Sequence, residues 1–326
     1  MSAVHVIVPE WIDDPARPSG GNLYGRRVCD GLAALGWTVR EHLVHPAALA
    51  RTVEQIPDGA VVLVDGLLAS PAPGALVPHA RRLRLVVLMH MPLGGDRERE
   101  VLDAAAAVIT TSVWTRRRLG ALRADVHVAE PGVDPAGLAP GTAHGGELLC
   151  VAAVTPLKGH DVLLEALAPL GDLDWRCTCV GSLDRDRDRA FADAVRRRAG
   201  RVRFTGARTG AALAAAYAAA DLLVLPSRAE TYGMVITEAL ARGVPVIASD
   251  VGGVPEALGG AGLLVPPGDA PALGAALRAW LEDAGLRERL RRAARARRFE
   301  VRGWDATTAD VAAVLGRVAA LEGAVR

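Results

Sequence analysis

The sequence predicts an α/β protein with two doubly wound parallel-sheet domains, and three observations carry this prediction. The length of 326 residues suits two domains of ordinary size. Short runs rich in β-branched residues alternate with longer segments rich in Ala, Leu and Arg, which is typical of strands that alternate with helices. The strand runs are apolar almost without interruption, as expected for parallel strands that helices cover on both faces.

Two groups of six strands are predicted. The first group comprises 4–8, 38–43, 61–65, 85–89, 107–111 and 126–129. The second group comprises 148–154, 175–180, 202–205, 222–226, 244–248 and 263–265. Residues 131–147 are rich in Pro and Gly and predict a linker. We therefore expect an N-terminal Rossmann-like domain over 1–140, a C-terminal one over 141–302, and a helix over 303–326 that packs back on the N-terminal domain.

The composition excludes several classes of protein. Lys plus Arg is 38 and Asp plus Glu is 37, so the formal net charge of +1 creates no field that attracts nucleic acid. Hydrophobic residues make up 51% of the chain, which excludes a disordered protein, and the aromatic content of 4% provides no stacking platform for single strands. The sequence contains no run of about 18 apolar residues, so no transmembrane helix is predicted.

Cysteine usage and the N-terminus indicate a cytoplasmic protein. The spacing of the four cysteines matches no zinc motif, so we expect reduced thiols and no metal site (Cys29, Cys150, Cys177 and Cys179). No cationic leader precedes the first apolar run. The basic segments 116–118 and 287–298 lack aromatic anchors and have acidic neighbours, so solvated helix faces are favoured over peripheral membrane contact. The alternating run DRDRDR at 184–189 likewise predicts a solvated surface rather than a cation site.

The window SRAETYGMVITEALARGVPVIASDVGGVPE, residues 227–256, carries the most chemistry. A buried strand ends at a polar loop with Glu230, and a helix is predicted from near Gly233 through Glu238 to residue 241. This order places a carboxylate and the free N–H groups of a first helical turn at the carboxyl edge of a parallel sheet, where such folds bind ligands. Two solvated helix carboxylates are the alternative. The apolar neighbours of Glu238 favour a buried carboxylate that needs partners, which a hydroxyl-rich ligand supplies.

This window resembles the retaining, GT-B-fold glycosyltransferases of family 4. The matching elements are Glu230 and Glu238 with seven residues between them, the strand GVPVIASD and the turn GGVPE. The resemblance implies two Rossmann-like domains that face each other across a cleft, the first binding an acceptor and the second a nucleotide sugar. It also implies that Glu238 accepts hydrogen bonds from the ribose hydroxyls, while Glu230 and the backbone of the next residues face the sugar and phosphate (Tyr232, Gly233, Met234 and Val235).

A second match is VAAVTPLKGHDVLLEAL, residues 151–167, in which Lys158 lies in a turn between a strand and a helix. A lysine there directs a compact cation to the carboxyl edge of the sheet, and an exposed loop lysine is the alternative. The family pattern has an Arg five residues before this Lys, and this sequence has Ala153 instead. One of the two cations that neutralise the leaving diphosphate in that family is therefore missing.

The N-terminal half contributes three further candidates. Gly20 and Gly21 match the glycines of the family's first loop, where the backbone approaches a ligand closely, although any tight turn favours glycine. The resemblance gives His90, at a strand end, contacts to sugar hydroxyls, with a structural histidine as the alternative. In the second half it places Arg208, after VRFTGA, near the base, with a surface arginine as the alternative.

The expected activity is transfer of a sugar from a nucleotide diphosphate sugar to a hydroxyl of a small-molecule, sugar or natural-product acceptor, with retention. UDP sugars are favoured and GDP sugars are an alternative, and no cofactor or metal is expected. Lys158, Glu230 and His90 are the expected catalytic residues. Two alternatives stay open: a nucleotide-sugar epimerase of the same fold, and a binding or partner protein that has lost activity, to which Ala153 points. The acceptor and the oligomeric state have no sequence signal.

Overall fold

The computed structural model describes residues 2–183 and 188–320. The predicted solvated run at 184–189 therefore lies largely outside the described residues, as does the end of the C-terminal segment. No helix within the described ranges is long and apolar enough to span a bilayer. Two compact units are present: the first comprises residues 2–14, 19–132 and 302–320, and the second comprises 15–18 and the rest of 133–301.

The elements of the first unit follow one another in strand and helix alternation, and their bounds are β1 (Ala3–Pro9), α1 (Gly20–Ala34), β2 (Thr38–Val44), α2 (Leu49–Glu54), β3 (Val61–Asp65), α3 (Gly66–Ala69), α4 (Pro73–Leu76), β4 (Arg84–Met89), α5 (Asp96–Ala104), β5 (Ala107–Thr110), α6 (Val113–Leu119), β6 (Asp125–Val128) and, from the chain's end, α14 (Trp304–Ala320). The strands form one parallel sheet in the order β2-β1-β3-β4-β5-β6.

The second unit repeats this pattern with β7 (Glu147–Val151), α7 (His160–Leu167), β8 (Arg176–Val180), α8 (Arg189–Arg197), β9 (Val202–Phe204), α9 (Gly210–Ala218), β10 (Leu222–Leu225), α10 (Met234–Leu240), β11 (Val246–Ser249), α11 (Val254–Leu258), β12 (Gly262–Val265), α12 (Ala270–Glu282) and α13 (Ala284–Arg297). Its strands form a second parallel sheet in the order β12-β11-β10-β7-β8-β9. The α/β fold with two doubly wound parallel sheets is confirmed.

All twelve predicted strands are present among the described residues, and all but β3 have an end shifted by one to three residues. The strand predicted over 148–154 ends at Val151, although Ala152 and Val154 still donate to the carbonyls of Val180 and Ser182 at 2.9 Å. The strand predicted over 244–248 starts at Val246, just after Pro245, which has no N–H to donate to a ladder.

The predicted linker belongs to the second unit rather than standing between two domains. The first unit ends at Gly132, eight residues before the expected boundary at 140, and resumes at Arg302. Residues 133–146 are held to the second unit by hydrogen bonds: the N–H of Ala139 donates to the carbonyl of Arg242 at 2.9 Å, and the hydroxyl of Thr142 donates to Asp221 at 2.5 Å. These hydrogen bonds attach the segment that composition predicts as a linker to the second unit.

The central strands of each sheet are buried on both faces, whereas the edge strand β2 of the first sheet is largely exposed. In the first unit, Val4, Val6 and Val8 of β1 pack on one face with α1 and α14, while Ile7 packs on the other. In the second unit, α7 and α12 cover one face and α10 and α11 cover the other. The polar residues of a ligand site are therefore expected near the strand ends, since the faces of the central strands are filled mainly with apolar side chains.

Helix α14 packs against α1 through a close helix contact. A Cβ at Gly31 of α1 would lie 2.7 Å from Cγ2 and 2.9 Å from Cβ of the buried Thr308 of α14. Only a residue without a side chain fits there, so Gly31 sets the distance between the two helices.

We expect Gly31→Ala to destabilise the first unit, because the new methyl group must displace Thr308 from a packed contact. Overpacking of this kind costs about 1–3 kcal/mol, which denaturant unfolding of the full chain measures as a lowered midpoint. Gly316→Ala is the matched control, since open space surrounds that position of α14, and it should stabilise by up to about 1 kcal/mol. Equal midpoints for the two variants would contradict the packing. Addition of Thr308→Ala should recover part of the loss caused by Gly31→Ala.

Candidate active site

The carboxyl ends of β7 and β10, which are neighbours in the second sheet, bring Lys158 and Glu230 together. Lys158 ends the short 3-10 turn after β7, and Glu230 lies in the loop after β10. The Lys158 Nζ donates to Oε1 of Glu230 at 2.6 Å, and the Ser227 hydroxyl donates to the same oxygen at 2.9 Å. A charge-assisted hydrogen bond therefore connects two residues that lie 72 positions apart in sequence.

Two glycines allow these loops to approach each other. Gly159, directly after Lys158, has a φ of +67°, and a Cβ there would overlap the carbonyl of Pro226 at the end of β10. Gly252, with a φ of +61°, lies in the same way against the carbonyl of Glu230. A side chain at either position would be strained and would push the loop away. The glycines thus fix the position of the Lys158–Glu230 pair from both sides.

Lys158 is the only lysine among the 38 Lys and Arg residues of the sequence. Arg serves every other cationic position, including all the surface ion pairs. A compact ammonium with three rotatable donors differs chemically from a planar guanidinium. The single exception to the preference for Arg therefore lies at the sheet edge beside a carboxylate, and its side chain is 29% exposed and open to a ligand.

Glu238 is held by a tyrosine that the sequence analysis did not identify. Tyr217 of α9 is buried, and its hydroxyl donates to Oε2 of Glu238 at 2.7 Å. Burial raises the pKa of Glu238 above its ordinary value, and the Tyr217 hydroxyl and the Arg242 guanidinium offset part of this rise. Burial, the Glu238 charge and the bond to Glu238 raise the pKa of Tyr217 well above its ordinary value, so the phenol acts as a donor. The guanidinium of Arg242 stacks 4.8 Å from the centre of the Tyr217 ring.

Helix α10 starts where the sequence predicts a first turn. Gly233 is its N-cap, with a φ of +94°, and no side chain caps the first turn. Met234 and Val235 are the first two helical residues, and Tyr232 is buried against the core beneath them. Glu238 is the fifth residue of this seven-residue helix. Glu230 and Glu238 are therefore at the two ends of one loop and helix segment.

Arg208 is not brought to the Lys158–Glu230 pair by any contact in the described residues. It is exposed in the loop after β9, and two strands separate β9 from β10 in the sheet order. With strands about 4.8 Å apart, the end of β9 lies on the order of 10 Å from the end of β7, which Lys158 follows, and on the order of 14 Å from the end of β10. Ala153, at the position of the missing arginine, is partly buried after β7.

The remaining predicted residues belong to the first unit. Gly20 and Gly21 are the first two residues of α1, capped by Ser19, rather than part of a loop. A Cβ on Gly21 would lie 3.5 Å from the ring of His90, which follows β4. His90 Nε2 lies 3.3 Å from Oδ2 of Asp65, and both side chains are almost fully buried. The other oxygen of Asp65 accepts the N–H of Leu67 at 2.8 Å.

The sequence spacing predicts no zinc motif, and the fold brings two cysteines and one histidine together in the core of the second unit. Cys150 of β7, Cys179 of β8 and His160 of α7 place one ligand atom each within 4.8 Å of one another in the core of the second unit. Cys150 Sγ lies 3.8 Å from His160 Nε2, and hydrogen bonding from Cys179 lowers the pKa of Cys150. Sequence spacing missed the cluster because strand pairing, with Cys150 opposite Cys179, brings the thiols together.

The sequence analysis did not identify three polar residues that lie against the predicted site residues. The sequence gives a local signal for one of them and none for the other two. Ser227 lies inside the window that the sequence analysis singled out, three residues before Glu230, so its contact was within reach. Tyr217 is 21 residues before Glu238 on another helix, and Asp65 is 25 residues before His90 on another strand. No local pattern links either pair.

Solved structures reproduce the fold over nearly the whole chain. A sucrose-phosphate synthase from Thermosynechococcus elongatus superimposes with a TM-score of 0.79 and 23% identity, covering 98% of this chain and 99% of that one. Anabaena Alr3699/HepE, solved with UDP and glucose, gives a TM-score of 0.75 and 19% identity over 97% of this chain and 100% of that one. At these identities the likeness concerns the fold, and it defines the GT-B class of two Rossmann-like units.

Sequence comparison identifies the family. Residues 145–283 match the family model described as Glycosyl transferases group 1. The D-inositol 3-phosphate glycosyltransferase of Jonesia denitrificans is 35% identical over 256 residues, which is 68% of this chain and 59% of that protein. The sulfoquinovosyl transferase SQD2 of Arabidopsis thaliana is 39% identical over 113 residues, 33% of this chain and 22% of that protein. The chain thus spans little more than half of the first relative, and it belongs to the group 1 glycosyltransferases of family 4.

The raised pKa of Glu238 predicts a pH dependence of stability. The folded state binds the Glu238 proton more tightly than the unfolded state, so the free energy of unfolding falls as pH rises from the ordinary value of 4.5 through the raised one. Glu238→Gln removes this titration and keeps an oxygen that accepts the Tyr217 hydroxyl. We expect the stability difference, variant minus wild type, to grow across that window and then level off.

Urea unfolding at a series of pH values between about 4 and about 8 measures this difference. Glu165→Gln is the control, because this exposed glutamate only pairs with Arg198 on the surface. Parallel stability curves for wild type and Glu238→Gln would contradict the burial of a charged carboxylate at this position.

Proposed function

We propose that the chain transfers a sugar from a nucleotide diphosphate sugar to a hydroxyl of a small acceptor, with retention of the anomeric configuration. The observation that carries the proposal is the Lys158–Glu230 pair at the carboxyl edge of the second sheet, in a chain with a single lysine and within the segment that matches the family. A UDP sugar is the favoured donor and a GDP sugar the alternative.

Lys158 is proposed to bind the diphosphate. Its ammonium has three donors, of which Glu230 uses one, so it can hold Glu230 and phosphate oxygens at the same time. Negative charge grows on the departing phosphate in the transition state, and a donor fixed there in advance stabilises that charge without reorganising. The first-turn N–H groups at Gly233, Met234 and Val235, next to Tyr232, are proposed to add uncharged donors.

Glu230 is proposed to bind the sugar rather than to attack it. Its Oε1 already accepts from both Lys158 and Ser227, and an oxygen with two donors is a poor nucleophile. Its other oxygen is proposed to accept from a sugar hydroxyl. In the proposed step the bond from the anomeric carbon to phosphate breaks and the bond to the acceptor oxygen forms on the same face. The leaving phosphate takes the acceptor proton, so no protein base and no metal ion are required.

Glu238 is proposed to accept the ribose hydroxyls. Tyr217 occupies one lone pair of its carboxylate, which leaves acceptor capacity for a vicinal diol. Burial disfavours the charged form of Glu238, and each added hydrogen-bond donor stabilises that form. The ribose hydroxyls are therefore proposed to offset part of its desolvation cost. Gly20, Gly21 and His90 in the first unit are proposed to meet ligand hydroxyls, and Arg208 the base.

Two alternative functions would require a different set of residues in the site. An epimerase needs an acid and a base on opposite faces of the sugar, and the candidates for these two roles are only His90 and Glu230, of which Glu230 is already engaged by Lys158 and Ser227. A binding or partner protein with lost activity is suggested by Ala153, since the second cation of the family pattern is absent.

We expect UDP or a UDP sugar to raise the melting temperature of the wild type, and Lys158→Ala and Glu238→Gln to lose that shift. A ligand at 100 times its dissociation constant adds about 2.7 kcal/mol, which corresponds to a shift of a few degrees. Glu165→Gln should keep the full shift. Turnover of Lys158→Ala should fall by about 10² to 10³, as for loss of one transition-state donor. If no nucleotide shifts the wild type at millimolar concentration, the donor site is not where we place it.

The single lysine provides an independent check. Acetylation with an amine-selective reagent should modify Lys158 and the N-terminal amine, and UDP should protect Lys158 alone, as read by peptide mass spectrometry. The N-terminal amine is the internal control for reagent activity. Equal acetylation of Lys158 with and without nucleotide would place the diphosphate elsewhere.

Ala153→Arg separates a working enzyme from a partner protein. If the chain is an active transferase adapted to one cation, the variant should change kcat by less than about tenfold. A gain far above that, from a wild type that binds nucleotide without turnover, would favour the alternative of a lost activity.

A further inference from the structure

Two thiols and an imidazole meet in the core of the second unit, away from the loops at the sheet edge. Cys150 of β7 pairs with Cys179 of β8, and His160 is the first residue of α7. One ligand atom from each of the three residues lies within 4.8 Å of the other two. All three residues are buried, so the group is closed to solvent.

A third cysteine lies beside this group. Cys177 precedes Cys179 by two residues, so both side chains point to the same face of β8. Hydrogen bonding with Cys150 and with Cys177 raises the pKa of Cys179 well above its ordinary value, which places the Cys177 sulfur next to the group. Three of the four cysteines of the chain are therefore concentrated in one part of the core, and the fourth, Cys29, lies in the core of the first unit.

The spacing of the ligand atoms fits a tetrahedral zinc ion. Zinc binds thiolate sulfur at about 2.3 Å and imidazole nitrogen at about 2.0–2.1 Å, so a sulfur and a nitrogen on one tetrahedral ion lie about 3.6 Å apart. The distance between Cys150 Sγ and His160 Nε2 is 3.8 Å. Structural zinc sites are closed and four-coordinate, and three cysteines with one histidine are one of their usual ligand sets.

His160 is the member of the group that apolar packing does not explain. Buried thiols behave as small apolar side chains, so the three cysteines alone are compatible with ordinary core packing. An imidazole has two polar nitrogens, and burying them without partners costs free energy. The Nε2 of His160 faces the Cys150 sulfur, and Nδ1 has no hydrogen-bond partner among the described residues. A metal ion bound to the ring replaces interactions with water that burial removes.

We propose that the core of the second unit binds a structural zinc ion through Cys150, Cys179 and His160, with Cys177 as the fourth ligand. The thiols release their protons to the solvent on binding, and the ion is incorporated while the unit folds, because the site is closed. The ion takes no part in the proposed sugar transfer, and its site does not depend on the proposed function.

The ion would fix the turn that carries Lys158. Gly159 alone separates Lys158 from His160, and it is the N-cap of α7, whose first turn no side chain caps. A zinc ion held by His160 and by the strand cysteines ties the start of α7 to β7 and β8. The position of Lys158 at the sheet edge is then secured from the core as well as by its bond to Glu230.

Metal content measures the site directly. The chain, without a polyhistidine tag, is unfolded, refolded with Zn²⁺ and a thiol reductant, dialysed and analysed by inductively coupled plasma mass spectrometry. We expect about one zinc ion per chain. Refolding with Co²⁺ instead should give the visible and charge-transfer absorption bands of a tetrahedral cobalt–thiolate site. A chain that holds no zinc after this treatment, or a cobalt spectrum without thiolate bands, overturns the proposal.

Variants test which residues hold the ion. We expect Cys150→Ala and His160→Gln to lose the zinc, with circular dichroism showing that they fold. Cys29→Ala is the matched control, because Cys29 is equally buried but lies in the other unit, and it should keep the zinc. Equal zinc contents for Cys150→Ala and Cys29→Ala would overturn the site. Cys177→Ala should lose zinc to a chelator concentration that leaves the wild type loaded, and equal resistance would exclude Cys177 as the fourth ligand.

Thermal unfolding gives a readout that is independent of activity. The wild type and Cys29→Ala, refolded with Zn²⁺, should melt several degrees above the same chains refolded with a chelator, because the ion binds only the folded state. Cys150→Ala should melt at the same temperature under both conditions. A wild-type melting temperature that does not depend on zinc would contradict a structural ion.

Discussion

The burial of parallel strands on both faces is the constraint on which the rest of this structure depends. Apolar residues fill most of both faces of the central strands, so the polar residues of the candidate site lie at strand ends, while Cys150 and Cys179 cluster with His160 inside the core. All strands of a sheet point the same way, which collects their following loops at one edge. The chemistry of each unit is therefore concentrated in short segments directly after the strands, and neighbouring strands decide which of these segments meet.

The second unit shows how backbone geometry then determines charge geometry. Lys158 and Glu230 approach to 2.6 Å only because glycines at 159 and 252 let their loops pass without side chains. We propose that this pair binds phosphate with the two ammonium donors of Lys158 that Glu230 does not use. The family pattern has a second cation, and this chain has Ala153 in its place. The remaining cation, Lys158, is held in a fixed position by its bond to Glu230.

The carboxylate of Glu238 is desolvated, and a tyrosine rather than a lysine stabilises it. Burial disfavours its charged form, and a single phenol hydroxyl from another helix partly compensates. The compensation is incomplete, which leaves an acceptor that gains from further donors. The first unit uses buried carboxylates for positioning as well. Asp65 caps α3 by accepting the N–H of Leu67, and Glu98 of α5 accepts the N–H groups of Leu93 and Gly94 in the loop after β4.

The sequence by itself determined the fold class, the twelve strands among the described residues and the family, because burial on both faces imposes a continuous apolar pattern and the Glu230–Glu238 spacing lies within one local segment. It also indicated Lys158, whose turn follows a strand. Only the tertiary structure decided which distant groups meet: Tyr217 with Glu238, Asp65 with His90, Cys150 with Cys179, and the linker with the second unit. The physical reason is that these contacts depend on strand order and helix packing, which arise from the whole core and leave no periodic or local signal in the chain.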